Sequence, residues 1–201
     1  MPIAGAIIAG GEATRLGGEK PFVPFCGATL LDAVIARVRP QVALLALSLR
    51  PGAAEEARAR HALPILTDTI PCSAGPLAGI VAALEWAQSL EGVEWLASFP
   101  GDTPFLPGDL VEALRAAADG GVPIVAHDGA HAQHLCALWP LSCLETLRGG
   151  MESGRLRSLY RAQGELGAVS CTVTAPMHAF FNVNTVADLA EAEELAARET
   201  G

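Results

Sequence analysis

The fold class that the sequence predicts is a single three-layer α/β/α domain on a mostly parallel sheet. Three observations carry the expectation. Short apolar runs of strand length alternate with stretches of helical spacing through the first two-thirds of the chain. The 201 residues fit one domain with a substantial core. No linker, internal repeat or low-complexity tract divides them.

The elements follow in order. Residues 3–9 are a short apolar run of the kind buried in a parallel sheet. A glycine-rich loop follows, and residues 29–39 then place Leu30, Leu31, Val34, Ile35 and Val38 at helical spacing until Pro40. A second strand spans 42–49, an Ala/Glu/Arg-rich outer helix 53–61, and a short third strand 64–67. Pro76, suited to a first helical turn, opens a helix to about Leu90. A fourth strand covers 94–99 and another helix 107–118. Strands separated by helices imply right-handed crossovers and helices on both faces. In the less regular last third, 122–127 and 134–139 read as strands, 141–148 and 154–163 as helices, and 168–173 as extended. Residues 185–198 form a final amphipathic helix, with Thr185 as N-cap and Asp188 in capping-box position.

Composition narrows the function. Hydrophobic residues make up 51% and aromatics 5%, so the core must be built mainly from Ala, Leu and Val. A net charge of −9 argues against a broad nucleic-acid or anionic-membrane surface. An acidic chain can still bind a polyanion where cations and metal concentrate in one cleft, which singles out Arg15, Lys20 and Arg50. The five cysteines (Cys26, Cys72, Cys136, Cys143 and Cys171) show neither metal-ligand spacing nor a disulfide framework. They read as reduced thiols, with Cys72 the most accessible. The chain opens on a core strand without a basic n-region, and no apolar stretch reaches the length of a membrane span. A soluble cytoplasmic protein is the expectation.

In sheets of this class, ligands collect at the carboxyl ends of strands. The first such loop follows IIAGG. Gly10 and Gly11 let backbone N–H groups approach phosphate oxygens, while Arg15 and Lys20 add charge, as a triphosphate requires. A plain strand-to-helix turn is the alternative. The loop is neither G-x-x-x-x-G-K-[ST] nor G-x-G-x-x-G. After the third strand, Asp68 can accept hydrogen bonds from a sugar or base. Gly75-Pro76-Leu77-Ala78-Gly79 either admits a ligand or lets a helix pack tightly.

After the fourth strand comes Pro100-Gly101-Asp102-Thr103-Pro104, whose carboxylate suits Mg²⁺ shared with substrate phosphates, or else serves a turn. Last, Asn182 and Asn184 point the same way if extended, beneath Phe180 and Phe181; capping duty alone would also explain Asn184. The histidines His61, His127, His131, His134 and His178 form no triad or metal spacing, and no G-x-S-x-G elbow occurs, so covalent catalysis is disfavoured.

IIAGGEATRLGGEKP, GPLAGI, GDTPFLP and FFNVNTVADL, in this order across the chain, resemble the Mg²⁺-dependent nucleotidyltransferases of the sugar-nucleotide pyrophosphorylase type, and more narrowly the molybdenum cofactor guanylyltransferase family. The opening loop is general to the superfamily; the later segments narrow it. The resemblance implies a Rossmann-like sheet of the nucleotide-diphospho-sugar transferase type. It also implies transfer of GMP from GTP to the terminal phosphate of molybdenum-molybdopterin, with Mg²⁺ as cofactor. Ile8, Ala9, Gly10 and Gly11 would contact the nucleotide, Arg15 and Lys20 its phosphates, and Asp68 the nucleoside. Asp102 would hold both nucleotide and Mg²⁺, while Asn182 and Asn184 would lie near metal or molybdopterin. Arg15, Lys20 and Asp102 would thus be catalytic. The N-terminal part would bind nucleotide and the C-terminal part molybdopterin, and partners would extend to molybdoenzyme apoproteins or their chaperones.

Three departures from the family's pattern stand out. Leu47-Ser48-Leu49-Arg50 replaces a segment that often carries asparagines, leaving a nucleotide contact to Ser48 or Arg50. Gly101 stands where a Cys is usual, and Gln133-His134-Leu135 where Gln-Pro-Leu is common. Two other readings stay open. One is a cytidylyltransferase for the same cofactor or a sugar-1-phosphate nucleotidyltransferase. The other is a non-catalytic module that binds nucleotide or hands on cofactor.

Overall fold

β1 (Ile3–Ile8) lies in the interior of the sheet, and its alternating side chains feed two separate cores. The structure is a computed structural model that describes residues 1–10, 20–67 and 75–199. After β1 come a small hairpin of β2 (Pro24–Phe25) and β3 (Ala28–Thr29), then α1 (Leu30–Val38), β4 (Leu44–Ser48), α2 (Pro51–Arg60) and β5 (Ile65–Leu66). The chain continues through α3 (Pro76–Gln88), β6 (Trp95–Pro100), α4 (Leu110–Ala116), β7 (Ile124–His127) and β8 (Ala132–Pro140). It ends with α5 (Leu144–Glu152), α6 (Leu159–Glu165), β9 (Val169–Thr172) and α7 (Val186–Glu199).

The seven-stranded sheet runs β5-β4-β1-β6-β8-β7-β9. Pairing is parallel throughout except where β8 lies against β6 and β7, so the expected mostly parallel α/β domain is what forms. From β1 the chain moves outward to β4 and β5, then crosses to β6 on the other side. The strand order therefore reverses between β1 and β6, where open α/β sheets leave a crevice at the carboxyl ends.

Ala4, Ala6 and Ile8 face one core with α3, α5 and α6, whereas Ile7 faces the other with α1, α2 and α4. In α3, Leu77, Ile80, Val81 and Leu84 are fully buried. Each such side chain contributes roughly 1.5–3 kcal/mol of transfer free energy before entropy is charged. A third, smaller core of Phe25, Leu30, Phe105, Val183 and Ala192 holds α7 against the hairpin.

Several boundaries differ from the sequence reading for identifiable reasons. α4 begins at Leu110 rather than at residue 107, because Gln41 Oε1 accepts the Val111 N–H at 3.0 Å while its Nε2 holds the Pro107 carbonyl at 2.9 Å. Residues 154–158 are not helical. Gly154 takes φ 71°, and Ser158 caps α6 by accepting from the Arg161 N–H. Conversely, the expected helix over 141–148 extends to Glu152. The β2–β3 hairpin has no counterpart in the sequence reading; Cys26 and Gly27 at its tip both have positive φ.

Gly75 and Gly79 have separate structural roles. Gly75 sits at φ 55° before α3, with open space where a Cβ would stand. At Gly79 a Cβ would come within 2.6 Å of Ser48 Oγ and 3.1 Å of Ile8 Cγ2, so the absent side chain is what lets α3 press onto β1 and β4. A helix-interior glycine normally gains stability on replacement; here the contact reverses the sign. We expect Gly79→Leu to lower stability by about 1–3 kcal/mol in chemical denaturation, as overpacked cores do, whereas a variant as stable as the parent would show that the helix can move away.

Candidate active site

Strand ends, loops and one helix start converge on Asp102. Gly101 N–H donates to the Ile8 carbonyl at 3.2 Å, continuing the β1–β6 ladder one step beyond the strands. A Cβ at Gly101 would collide with the Ala9 Cβ and lie 3.1 Å from its Cα. Glycine is therefore required sterically in this arrangement, and the family's usual Cys would collide with Ala9 here. The Asp102 carbonyl accepts the Val183 N–H at 2.9 Å, which draws residues 180–184 across the same crevice.

The side chains then form one network. Lys20 Nζ lies 2.6 Å from Asp102 Oδ2 and 2.5 Å from Asn184 Oδ1. With side-chain exposures of 14% for Lys20 and 25% for Asp102, the pair is neither dry nor freely solvated. On the other carboxylate oxygen, Thr103 Oγ1 sits 3.2 Å from Asp102 Oδ1 and 2.5 Å from Asn182 Oδ1. The two asparagines thus reach Asp102 from opposite sides, one through Lys20 and one through Thr103. Thr103, only 1% exposed, was not singled out in the sequence. Its place beside Asp102 was the available signal.

Asn184 is held by the start of α7. Asp188 Oδ2 accepts the N–H groups of Asn184 and Thr185, each at 2.9 Å, and Thr185 Oγ1 accepts the Asp188 N–H at 3.1 Å. This is the expected capping box, and it leaves the Asn184 side chain free of capping duty. The Asn184 N–H above all keeps the Asp188 carboxyl below its ordinary value, against a smaller opposing push from desolvation, and Thr185 adds to the lowering.

Ile8 is 6% exposed at the end of β1, so its backbone and not its side chain borders the crevice. Ala9 N–H donates to the Ser48 carbonyl at 2.9 Å. Gly10 presents its carbonyl to Arg50 Nε at 2.6 Å. Leu47 is wholly buried and Ser48 lies 3% exposed beneath Gly79, so Arg50 is the member of its segment that reaches the glycine loop. Gly11, Arg15, Asp68 and Cys72 lie outside the described residues. Among the described cysteines Cys26 is exposed and Cys136 and Cys143 are buried. His61, His134 and His178 face Asp32, Gln163 and Glu199 respectively, so they do not gather at one site.

Among the described residues, the atoms bonded into the Asp102 network are amide and hydroxyl oxygens and one ammonium. Among the described residues no group of three His, Cys, Asp or Glu side chains could hold a metal ion by itself. One carboxylate with neighbouring amide and hydroxyl oxygens is the donor set of a hard cation that takes its remaining ligands from water and substrate phosphates. The described residues therefore fit a hard divalent cation and do not fit a thiolate- or imidazole-bound metal. No described helix is long and apolar enough to cross a membrane.

Residues 5–167 match the family described as MobA-like NTP transferase domain. The chain is 41% identical over 208 residues to the molybdenum cofactor guanylyltransferase of Nitrobacter hamburgensis, covering 100% of this chain and 97% of that protein. With the molybdenum cofactor guanylyltransferase of a Bradyrhizobium species the identity is 40%, over 98% of this chain and 94% of that one. In structure it superposes on molybdopterin-guanine dinucleotide biosynthesis protein A from Archaeoglobus fulgidus with a TM-score of 0.78, at 24% identity and covering 98% and 100% of the two chains.

Because Asp188 titrates below its ordinary value of 3.8, its capping contribution is complete above that pH and is lost as pH falls through the lower folded value. We expect the Asn184 and Thr185 amide resonances to shift together only on acidification below 3.8. In Asp188→Asn they should not titrate. Movement at higher pH would contradict the assigned cap.

Proposed function

We propose a function from one premise: the chain belongs to the MobA-like NTP transferase family. It is a molybdenum cofactor guanylyltransferase, which transfers GMP from GTP to the terminal phosphate of molybdenum-molybdopterin and releases pyrophosphate. The observation that carries the assignment of roles is the Lys20–Asp102–Asn184 cluster at the crevice between β1 and β6.

In the reaction, an ionised oxygen of the molybdopterin phosphate attacks the α-phosphorus of GTP. The bond from that phosphorus to the bridging oxygen breaks, and pyrophosphate leaves with the electron pair. A phosphate is already nucleophilic at neutral pH, so no strong general base is needed. The dispersed histidines agree with that. What remains is placement and charge.

The backbone of Ile8, Ala9 and Gly10 lines the nucleotide side. Lys20 exchanges part of its hold on Asp102 for phosphate oxygens and offsets charge growing on the leaving group. Gly11, Arg15 and Asp68 are assigned to phosphates and nucleoside from sequence. Asp102 would hold Mg²⁺, which supplies Lewis-acid neutralisation of the phosphates when bound. Asn182 and Asn184 border metal or molybdopterin. The N-terminal part serves nucleotide and the C-terminal part the acceptor. Delivery to a molybdoenzyme apoprotein or its chaperone, in the cytoplasm, completes the reading.

Turnover with radiolabelled GTP, CTP and molybdopterin tests the reading: GMP transfer is expected, and CMP transfer would overturn the choice of base. Losing the metal-binding carboxylate in Asp102→Ala should lower kcat by at least about a hundredfold with the fold intact by circular dichroism. Lys20→Ala should lower kcat by about tenfold to a thousandfold. Wild-type rates in either variant would remove that residue from the catalytic set.

A further inference from the structure

At the carboxyl edge of the sheet, β7 and β8 slip out of register. Val125 faces Ala137, but the next residue, Ala126, faces Gln133. Residues 134–136 therefore bulge from β8 without partners on β7, and bulges of this kind re-aim side chains beside active sites.

This bulge is pinned from two sides. Trp139 Nε1 donates to Ser98 Oγ at 2.9 Å, and Ser98 Oγ donates to the Leu135 carbonyl at 2.7 Å. Gln163, 4% exposed, donates its Nε2 to the His134 carbonyl at 2.8 Å. β8 pairs antiparallel with β6, Ala137 opposite Ser98, so residues 134–136 lie toward the carboxyl end of β6, the end from which the chain runs on to Asp102.

The Gln163 amide also fixes the tautomer of the neutral His134 ring. With Nε2 committed to the His134 carbonyl, its Oε1 lies 2.6 Å from His134 Nδ1. An amide oxygen only accepts, so Nδ1 carries the proton and the neutral ring keeps its lone pair on Nε2. Among the described residues Nε2 has no hydrogen-bond partner. The Tyr160 ring meets His134 edge-on at 5.7 Å between centroids and is itself 73% exposed. Gln133, by contrast, spends its amide on Asp128 at 2.8 Å.

We propose that His134 Nε2, held on this bulge beside Tyr160, accepts a hydrogen bond from a ring N–H or amino group of the acceptor's pterin, making it a specificity residue of the transfer. The inference rests on the guanylyltransferase reading. A bare imidazole lone pair repels a phosphate and selects a donor-bearing heterocycle, and an exposed aromatic ring suits a flat one. Guanine carries similar donors. The nucleotide, however, is assigned to the β1 side of Asp102, and the bulge lies beyond β6 on the opposite side.

The test separates the two heterocycles. His134→Phe keeps a ring but removes both nitrogens, and should raise KM for molybdopterin about fivefold, the worth of one neutral hydrogen bond, with the effect absent from kcat and from KM for GTP. His134→Gln, which can still accept, should recover most of it. Tyr160→Ala, at an exposed position that leaves folding alone, should raise the same KM. An unchanged acceptor KM in both His134→Phe and Tyr160→Ala overturns the proposal, as does a rise confined to KM for GTP. Fluorescence titration of molybdopterin onto the wild type and His134→Phe, without nucleotide, reads the same loss of affinity. That measurement judges His134 even where a wild-type chain inactive with GTP would overturn the guanylyltransferase reading.

Discussion

The parallel pairing of β1 with β6 is the constraint on which the rest of this structure depends. Both strands are central, and small residues line them: Ala4, Gly5 and Ala6 on one, Ala97 and Ser98 on the other. Little side-chain volume stands between the sheet and its helices, so the layers close on an alanine-rich core. At Gly5 a Cβ would stand 2.9 Å from both Val42 methyl groups. The same closeness carries past the strand ends, where Gly101 N–H meets the Ile8 carbonyl. Asp102 comes next in the chain. Its position follows from the ladder before it and not from a flexible loop.

Around that fixed acid, an acidic protein arranges its few cations. The chain holds 13 Lys and Arg against 22 Asp and Glu, so a polyanion meets unfavourable charge over most of the surface. Lys20 at Asp102 and Arg50 at the Gly10 carbonyl mark where the balance reverses locally. An ion pair in this half-exposed setting adds little to stability. In the proposed reaction its value lies in being exchangeable: Lys20 has a partner before substrate arrives, and the metal takes its place on Asp102. The Thr103 hydroxyl and the two asparagine amide oxygens add neutral oxygens around the carboxylate, which suits such an exchange.

The mostly parallel α/β class was legible because buried parallel strands leave uninterrupted apolar runs, and the loops that follow them could be read directly; the strand order was not read from the sequence. Lys20, Asp102, Asn182 and Asn184 come together as the order of motifs implied. The hairpin at Pro24–Thr29 was not legible, since two-residue strands have no period to detect. Neither was the start of α4, set by Gln41 from a distant turn. Thr103 escaped notice because a hydroxyl beside a carboxylate is unremarked until its partner, Asn182, is seen to arrive 79 residues later. The slip at His134 belongs to the same class: Gln163 decides the ring's proton, and no local pattern links the two.

The central claim is that Lys20 and Asp102 are one site, divided between phosphate and metal once substrate binds. A crystal structure with Mg²⁺ and a non-hydrolysable GTP analogue tests it most directly. The account predicts that Lys20 Nζ leaves its 2.6 Å contact with Asp102 for a phosphate oxygen, while the Asp102 carboxylate turns to the metal. A nucleotide bound with the Lys20–Asp102 pair intact and the metal held elsewhere would contradict it.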